Sequence, residues 1–127
     1  MRYLLDTHTF IWFIEGDNKL SKKARNEIVD LDNDCFLSIA SLWEIAIKSS
    51  IGKLNLKIPF NRIADHLSGT NIELLPIEFN HLQILHNLEL IHRDPFDRVI
   101  ISQAITEGVT ILTTDKNFKS YPVKCLW

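Results

Sequence analysis

The sequence predicts an α/β fold: a central, mainly parallel sheet of four to five strands with helices on both faces. Three observations lead there. Strand-like and helix-like segments alternate along the chain. The strand-like segments are apolar at successive positions rather than at every second one, as expected for strands covered on both faces. Turn and capping residues fall between the segments rather than inside them.

Residues 2–6 read as the first strand, built on Tyr3-Leu4-Leu5 and ending at Asp6. Residues 8–15 form a short apolar helix with Trp12 and Phe13, stopped near Gly16. Ser21 is a suitable N-cap for a helix over residues 22–31. Cys35-Phe36-Leu37 is the second strand. Ser38 or Ser41 starts the next helix, which carries Trp43 and Glu44 and ends at Gly52. Pro59 and Phe60 open an amphipathic helix to about Leu67. Ile72 to Ile77 is a third strand, and residues 78–87 are helical. Asp94-Pro95 has the form of an N-cap followed by proline at the first helical position, and predicts a helix to Glu107 with Gly108 as its stop. Residues 110–114 form a fourth strand and 123–126 a short fifth. No repeat, linker or low-complexity tract interrupts the pattern, so residues 1–127 are expected to form one domain.

Composition sets bounds on function. The chain is 46% hydrophobic and 24% charged, as is usual for a folded globular protein. No apolar run reaches the ~18 residues of a membrane span, and Met1-Arg2-Tyr3 leads into a strand without a signal-peptide pattern. A cytoplasmic location with no membrane association is expected. Cys35 and Cys125 lie in apolar runs without metal-ligand spacing and read as reduced, buried small hydrophobes. The net charge of −2 is a poor match to a sequence-independent duplex binder. It is compatible with an enzyme on nucleic acid that has an acidic centre and a basic rim. Lys48, Lys53, Lys57, Arg93, Arg98, Lys116 and Lys119 are the candidate rim groups.

Four carboxylates carry the functional signal. Asp6 and Asp115 each end a strand-like run, and in an open α/β sheet the carboxyl ends of the strands face one crevice where ligands bind. Glu44 is the only acid between Ile39 and Ile51, and Asp97 lies in the first turn of the helix after Pro95. A cluster of like charges is unfavourable unless protons or cations neutralise it. Hard oxygen ligands suit Mg²⁺ or Mn²⁺.

Each acid also has a local reading. Asp6 can cap the following helix, and Asp115 can be a turn residue before Lys116-Asn117-Phe118. Glu44 can pair with Lys48 at i+4. Its neighbours Leu42, Trp43, Ile45, Ala46 and Ile47 are apolar all round, which predicts a helix buried on most sides and a carboxylate that needs a partner. Capping explains Asp94 more fully than Asp97, so Asp97 is the expected ligand. Asp94 is expected to reach the metal only through water. Arg98 stands four residues after Asp94, and is read either as an ion-pair partner or as a phosphate contact. His8 and His92 are assigned structural or substrate-contact roles. Trp12 and Trp43 are assigned to core or interface, with base stacking as the functional reading.

Tyr3-Leu4-Leu5-Asp6-Thr7-His8, Ser41-Leu42-Trp43-Glu44-Ile45-Ala46-Ile47-Lys48 with Gly52-Lys53-Leu54, His92-Arg93-Asp94-Pro95-Phe96-Asp97-Arg98, Thr113-Thr114-Asp115 and the closing Leu126-Trp127 together resemble a PIN-domain protein, with the VapC-type toxins of toxin–antitoxin pairs as the nearest branch. The resemblance spans the chain in order. It implies a small α/β/α ribonuclease fold whose Mg²⁺ or Mn²⁺ site falls on Asp6, Glu44, Asp97 and Asp115. It also implies an RNA substrate, a homodimer, and inhibition by a cognate antitoxin whose tail enters the active-site groove. Thr7, Thr113, Arg93 and Arg98 are the expected substrate-binding positions. Thr114 departs from the pattern, since relatives often carry a different, sometimes basic, residue there.

Two other classes fit less well. A phospho-accepting receiver module needs an acidic pair after the first strand and an aspartate after the third. Here Asp6 stands alone and the third strand ends Leu75-Pro76-Ile77-Glu78. A haloacid-dehalogenase-like phosphatase needs a second aspartate two residues after the first, where this chain has His8.

Overall fold

The computed structural model describes residues 1–127. Five parallel strands, β1 (Arg2–Leu5), β2 (Asp34–Ser38), β3 (Ile72–Leu75), β4 (Thr110–Leu112) and β5 (Cys125–Leu126), lie in the order β3-β2-β1-β4-β5. Six helices connect and cover them: α1 (Thr7–Glu15), α2 (Lys22–Val29), α3 (Ile39–Ser50), α4 (Ile63–Ser68), α5 (Phe79–Asn87) and α6 (Pro95–Glu107). The chain builds outward from β1 through β2 to β3, then returns to the other side of β1 with β4 and β5. Strand order therefore reverses between β1 and β4, the kind of switch point where a crevice opens beyond the strand ends. A receiver module has the order 2-1-3-4-5, so the topology excludes that reading.

The core has two layers, one on each face of the sheet. Tyr3, Leu5, Leu37 and Leu112 point to one face and pack with Phe10, Ile11, Ala24, Ile28, Ile45 and Ile63 from α1 to α4. Leu4 and Ile111 point to the other and pack with Ile100, Ile101 and Ala104 of α6 and with Phe118. The alternation of Tyr3, Leu4 and Leu5 between the layers follows from the two-residue period of a strand. On the second face, the fully buried His81 ties α5 to α6. Its Nδ1 accepts from the Glu78 amide at 3.0 Å, and its Nε2 lies 2.9 Å from Glu107 Oε2.

Several expected boundaries move, each for a local reason. β1 stops at Leu5 because Asp6 turns to cap α1. α2 ends at Val29, and Leu31 is exposed beyond it. Ser38, not Ser41, caps α3, accepting from the Ala40 amide at 3.0 Å. The helix expected from Pro59 to Leu67 is a single 3₁₀ turn, Phe60–Arg62, followed by the short α4. β3 ends at Leu75, before Pro76, which has no amide hydrogen for the ladder. β4 ends at Leu112, and β5 has only two residues. Gly16 and Gly108 end α1 and α6 with φ of 66° each, in the left-handed region where glycine carries no steric penalty.

The expectation that α3 is buried on most sides is corrected. Ala40, Ser41, Glu44 and Ile45 are buried, but Ile39, Trp43, Ile47 and Ile51 form an exposed row at four-residue spacing, with Trp43 57% exposed. Both cysteines are free, with Cys35 buried and Cys125 half-buried. No helix is long and apolar enough to cross a membrane.

Candidate active site

Asp6 follows β1 directly, at the switch point. Its Oδ1 accepts from the Thr7 amide at 2.7 Å, and its own amide donates to Leu112 O at 3.1 Å across the β1–β4 pair. Its Oδ2 accepts from Thr113 Oγ1 at 2.9 Å. The same Thr113 oxygen accepts from the Asp115 amide at 3.0 Å, so one hydroxyl joins the two aspartates that follow the central strands. Burial pushes the Asp6 carboxyl up to about 6. The Thr113 and Thr7 hydrogen bonds and the field of His8 oppose the rise, and the Asp115 charge adds to it.

Glu44 enters from α3 and is 4% exposed. Both of its oxygens are engaged. Thr7 Oγ1 donates to Oε1 at 2.8 Å, and Lys48 Nζ forms a short ion pair with Oε2. Thr7 Oγ1 also lies 2.9 Å from the buried Ser41 Oγ.

Asp94 and Asp97 come from the start of α6. Asp94 Oδ1 accepts from the Asp97 amide at 2.9 Å as the N-cap, with Pro95 in the first helical position. Asp97 Oδ2 lies 2.8 Å from His92 Nε2, in the loop before the helix. Burial is the main cause that pushes Asp97 up to about 7, and the charges of Asp6, Asp94 and Glu44 add to it against the His92 hydrogen bond. Asp115 caps a 3₁₀ turn, Lys116–Ser120, accepting from the Asn117 amide at 2.9 Å. The local capping and pairing readings of Asp6, Asp94, Asp115 and Glu44 are therefore all realised in the structure, alongside the mutual electrostatic influence of the acids.

The donor set suits a hard divalent cation: carboxylates only, partly desolvated and mutually repelling. As they stand, no three His, Cys, Asp or Glu side chains gather tightly enough to hold one ion. The carboxylates are also engaged by hydroxyl, lysine or imidazole partners: Thr113 on Asp6, Thr7 and Lys48 on Glu44, and His92 on Asp97. Asp97 and Asp6 also favour the protonated form more than free carboxylates do.

The expected substrate contacts are placed differently. Thr7 and Thr113 are buried, and their hydroxyls hold Glu44 and Asp6 rather than facing the solvent. Arg98 neither pairs with Asp94 nor stands free. Its guanidinium donates to Leu88 O at 3.1 Å, Glu89 O at 3.0 Å, His92 O at 3.3 Å and Tyr121 Oη at 3.2 Å, which fastens the loop before α6. Arg93 remains exposed, as do Lys53, Lys57, Lys116 and Lys119. His8 is exposed beside Trp12, Trp12 meets Trp127 edge-on at 5.8 Å, and Trp43 meets Phe96 edge-on at 5.1 Å. Sequence reasoning missed the contact of Ser41 with Thr7 and the anchoring role of Tyr121. A serine inside a helix and a tyrosine after a turn carry no local mark of a contact formed by folding.

The PIN domain family model matches residues 3–124. Solved structures share the fold. A chain of the VapBC2 complex from Rickettsia felis, bound to a DNA fragment from its promoter, superposes with a TM-score of 0.75 at 23% identity, covering 100% of this chain and 99% of that one. A chain of the DNA-bound VapBC from Salmonella typhimurium gives 0.72 at 17% identity, with 99% and 97% covered. A chain of VapBC-1 from nontypeable Haemophilus influenzae gives 0.72 at 16% identity, with 99% and 97% covered. No curated protein matches the sequence.

Proposed function

The chain belongs to the PIN-domain family, and from that premise we propose that it is a divalent-cation-dependent endoribonuclease acting as the toxin of a toxin–antitoxin pair. The observation that carries the reading is the set of acids Asp6, Glu44, Asp97 and Asp115. They are supplied by four separate elements, and the charges of Asp6 and Glu44 bear on Asp97 while that of Asp115 bears on Asp6. These four residues would hold Mg²⁺ or Mn²⁺, with Asp94 in contact through water. Bound there, such a cation would supply an activated water and would neutralise charge on the scissile phosphate.

The chain's own residues do the remaining work. Thr113 orients Asp6 and Asp115, Thr7 orients Glu44, and His92 orients Asp97. Carboxylates held this way are preorganised, so little reorganisation accompanies the charge that develops in the transition state. No serine or cysteine nucleophile is needed. Arg93, next to Asp94, and Lys116, next to Asp115, are exposed and supply the basic rim for the RNA backbone, in place of Arg98.

A cognate antitoxin and a homodimeric state belong to the same proposal. The similar solved structures are VapBC complexes bound to DNA, and another is a toxin–antitoxin complex from Klebsiella pneumoniae, which supports an antitoxin partner for this chain. Cleavage of labelled RNA in Mg²⁺ or Mn²⁺, set against the same reaction in EDTA, tests the reading. Cutting that requires the cation is expected, and undiminished cutting in chelator would sink the metal mechanism.

A further inference from the structure

Lys48 is the only lysine or arginine ion-paired with one of the crevice acids. An i,i+4 pair on a helix normally joins two solvated side chains, and its loss is barely felt. This pair differs. The Glu44 side chain is only 5% exposed while that of Lys48 is 36% exposed, so a buried carboxylate leans on one cation reaching in from the edge. The other Glu44 oxygen is held by Thr7, which leaves Lys48 as the only positive charge on that group. The ammonium also lies in the field of Asp94 and Asp97 on α6, so it serves more than its own helix.

We propose that Lys48 is a resident cation of the crevice: in the metal-free protein it neutralises Glu44, and a divalent cation binds by taking Glu44 from it. The proposal rests on the reading that the crevice holds such an ion. It accounts for a buried carboxylate with both oxygens engaged, one by the Thr7 hydroxyl and one by the Lys48 ammonium, at the edge of a group of acids whose other members carry no lysine or arginine. A lysine suits this exchange, because its ammonium is a compact point charge on a flexible stem with no fixed fork to break. Lys48 is thus a positioning residue that sets how readily the crevice accepts its ion.

The test uses the full chain as wild type, Lys48→Met, Lys48→Arg and the double variant Glu44→Gln with Lys48→Met. Mn²⁺ binding is measured by calorimetric titration and the melting temperature is measured in EDTA. Lys48→Met is expected to melt lower than wild type in EDTA, because Glu44 loses its counter-ion, and to bind Mn²⁺ on the order of tenfold more tightly, because the competitor is gone. Lys48→Arg should keep the wild-type melting temperature. The double variant should recover melting temperature relative to Lys48→Met, which keeps the proposal testable if that single variant folds poorly. Wild-type Mn²⁺ affinity together with an unchanged melting temperature in Lys48→Met would reduce the pair to an ordinary surface contact and overturn the proposal, while leaving the nuclease reading intact. Absence of Mn²⁺ binding in both wild type and Lys48→Met would remove the ion itself, and the nuclease reading and the proposal would fall together.

Discussion

At the scale of single residues, the site depends on a few hydroxyls. Thr113 donates to Asp6 and accepts from the Asp115 amide, so it fixes two acids at once. Replacing it with valine keeps the shape and removes both bonds, leaving a buried carboxylate oxygen and an amide without partners. Thr113→Val should lower stability by about 1–3 kcal/mol in denaturant unfolding, and should weaken RNA cleavage more than the loss of folded protein explains. The two aspartates of α6 separate in the same way. Asp94 caps the helix, whereas Asp97 faces the other acids. Asn caps about as well as Asp, so Asp94→Asn should retain most cleavage, and Asp97→Asn should abolish it with its circular dichroism spectrum unchanged. A dead Asp94→Asn beside an active Asp97→Asn would reverse the assignment. The acids were legible in the sequence because a carboxylate in an apolar element demands a partner. Their hydroxyl partners were not, since a threonine beside an aspartate reads equally as strand, cap or turn. The Thr113–Asp6 bond joins positions 107 residues apart.

At the scale of elements, Arg98 shows how a charged side chain on a helix can serve the loop before it. Its guanidinium gathers carbonyls of Leu88, Glu89 and His92, and the Tyr121 hydroxyl accepts from it while receiving the Ile91 and His92 amides at 3.1 and 2.8 Å. The loop so fastened carries His92 to Asp97. Arg98→Met should cost about 1–3 kcal/mol, as charged hydrogen bonds do, and should raise amide hydrogen exchange over residues 88–93. Loss of RNA affinity with unchanged exchange in that loop would return Arg98 to the role of phosphate contact. Helix starts and stops were largely readable, because Ser21, Asp94, Gly16 and Gly108 act locally. The exposed row on α3 was not readable. Ile39, Trp43, Ile47 and Ile51 have the same apolar chemistry as the buried Ile45, and only packing distinguishes the two faces.

At the scale of the whole molecule, alternation of strands and helices indicated a parallel sheet, but strand order depends on which connection crosses to the far side of β1, and no local residue encodes that. The order matters because it places Asp6 beside the end of β4 and so forces the acids into each other's fields. The resulting cost has a predictable sign. Asp6 and Asp97 are pushed from the ordinary 3.8 up to about 6 and about 7, chiefly by burial. Between about pH 4 and pH 7, the folded protein holds protons that the unfolded chain releases, so unfolding sheds protons and stability falls as pH rises through that window. On the proposed function a divalent cation would reverse the trend, since it would bind the ionised carboxylates and stabilise only the folded state. Calorimetric melting in EDTA should therefore give a higher temperature at pH 5.5 than at pH 8, and saturating Mg²⁺ should raise the pH 8 value the more. Asp6→Asn with Asp97→Asn should flatten both responses. A metal-free melting temperature that climbs from pH 5.5 to pH 8 would mean that the two carboxyls do not hold their protons against the field of the crevice.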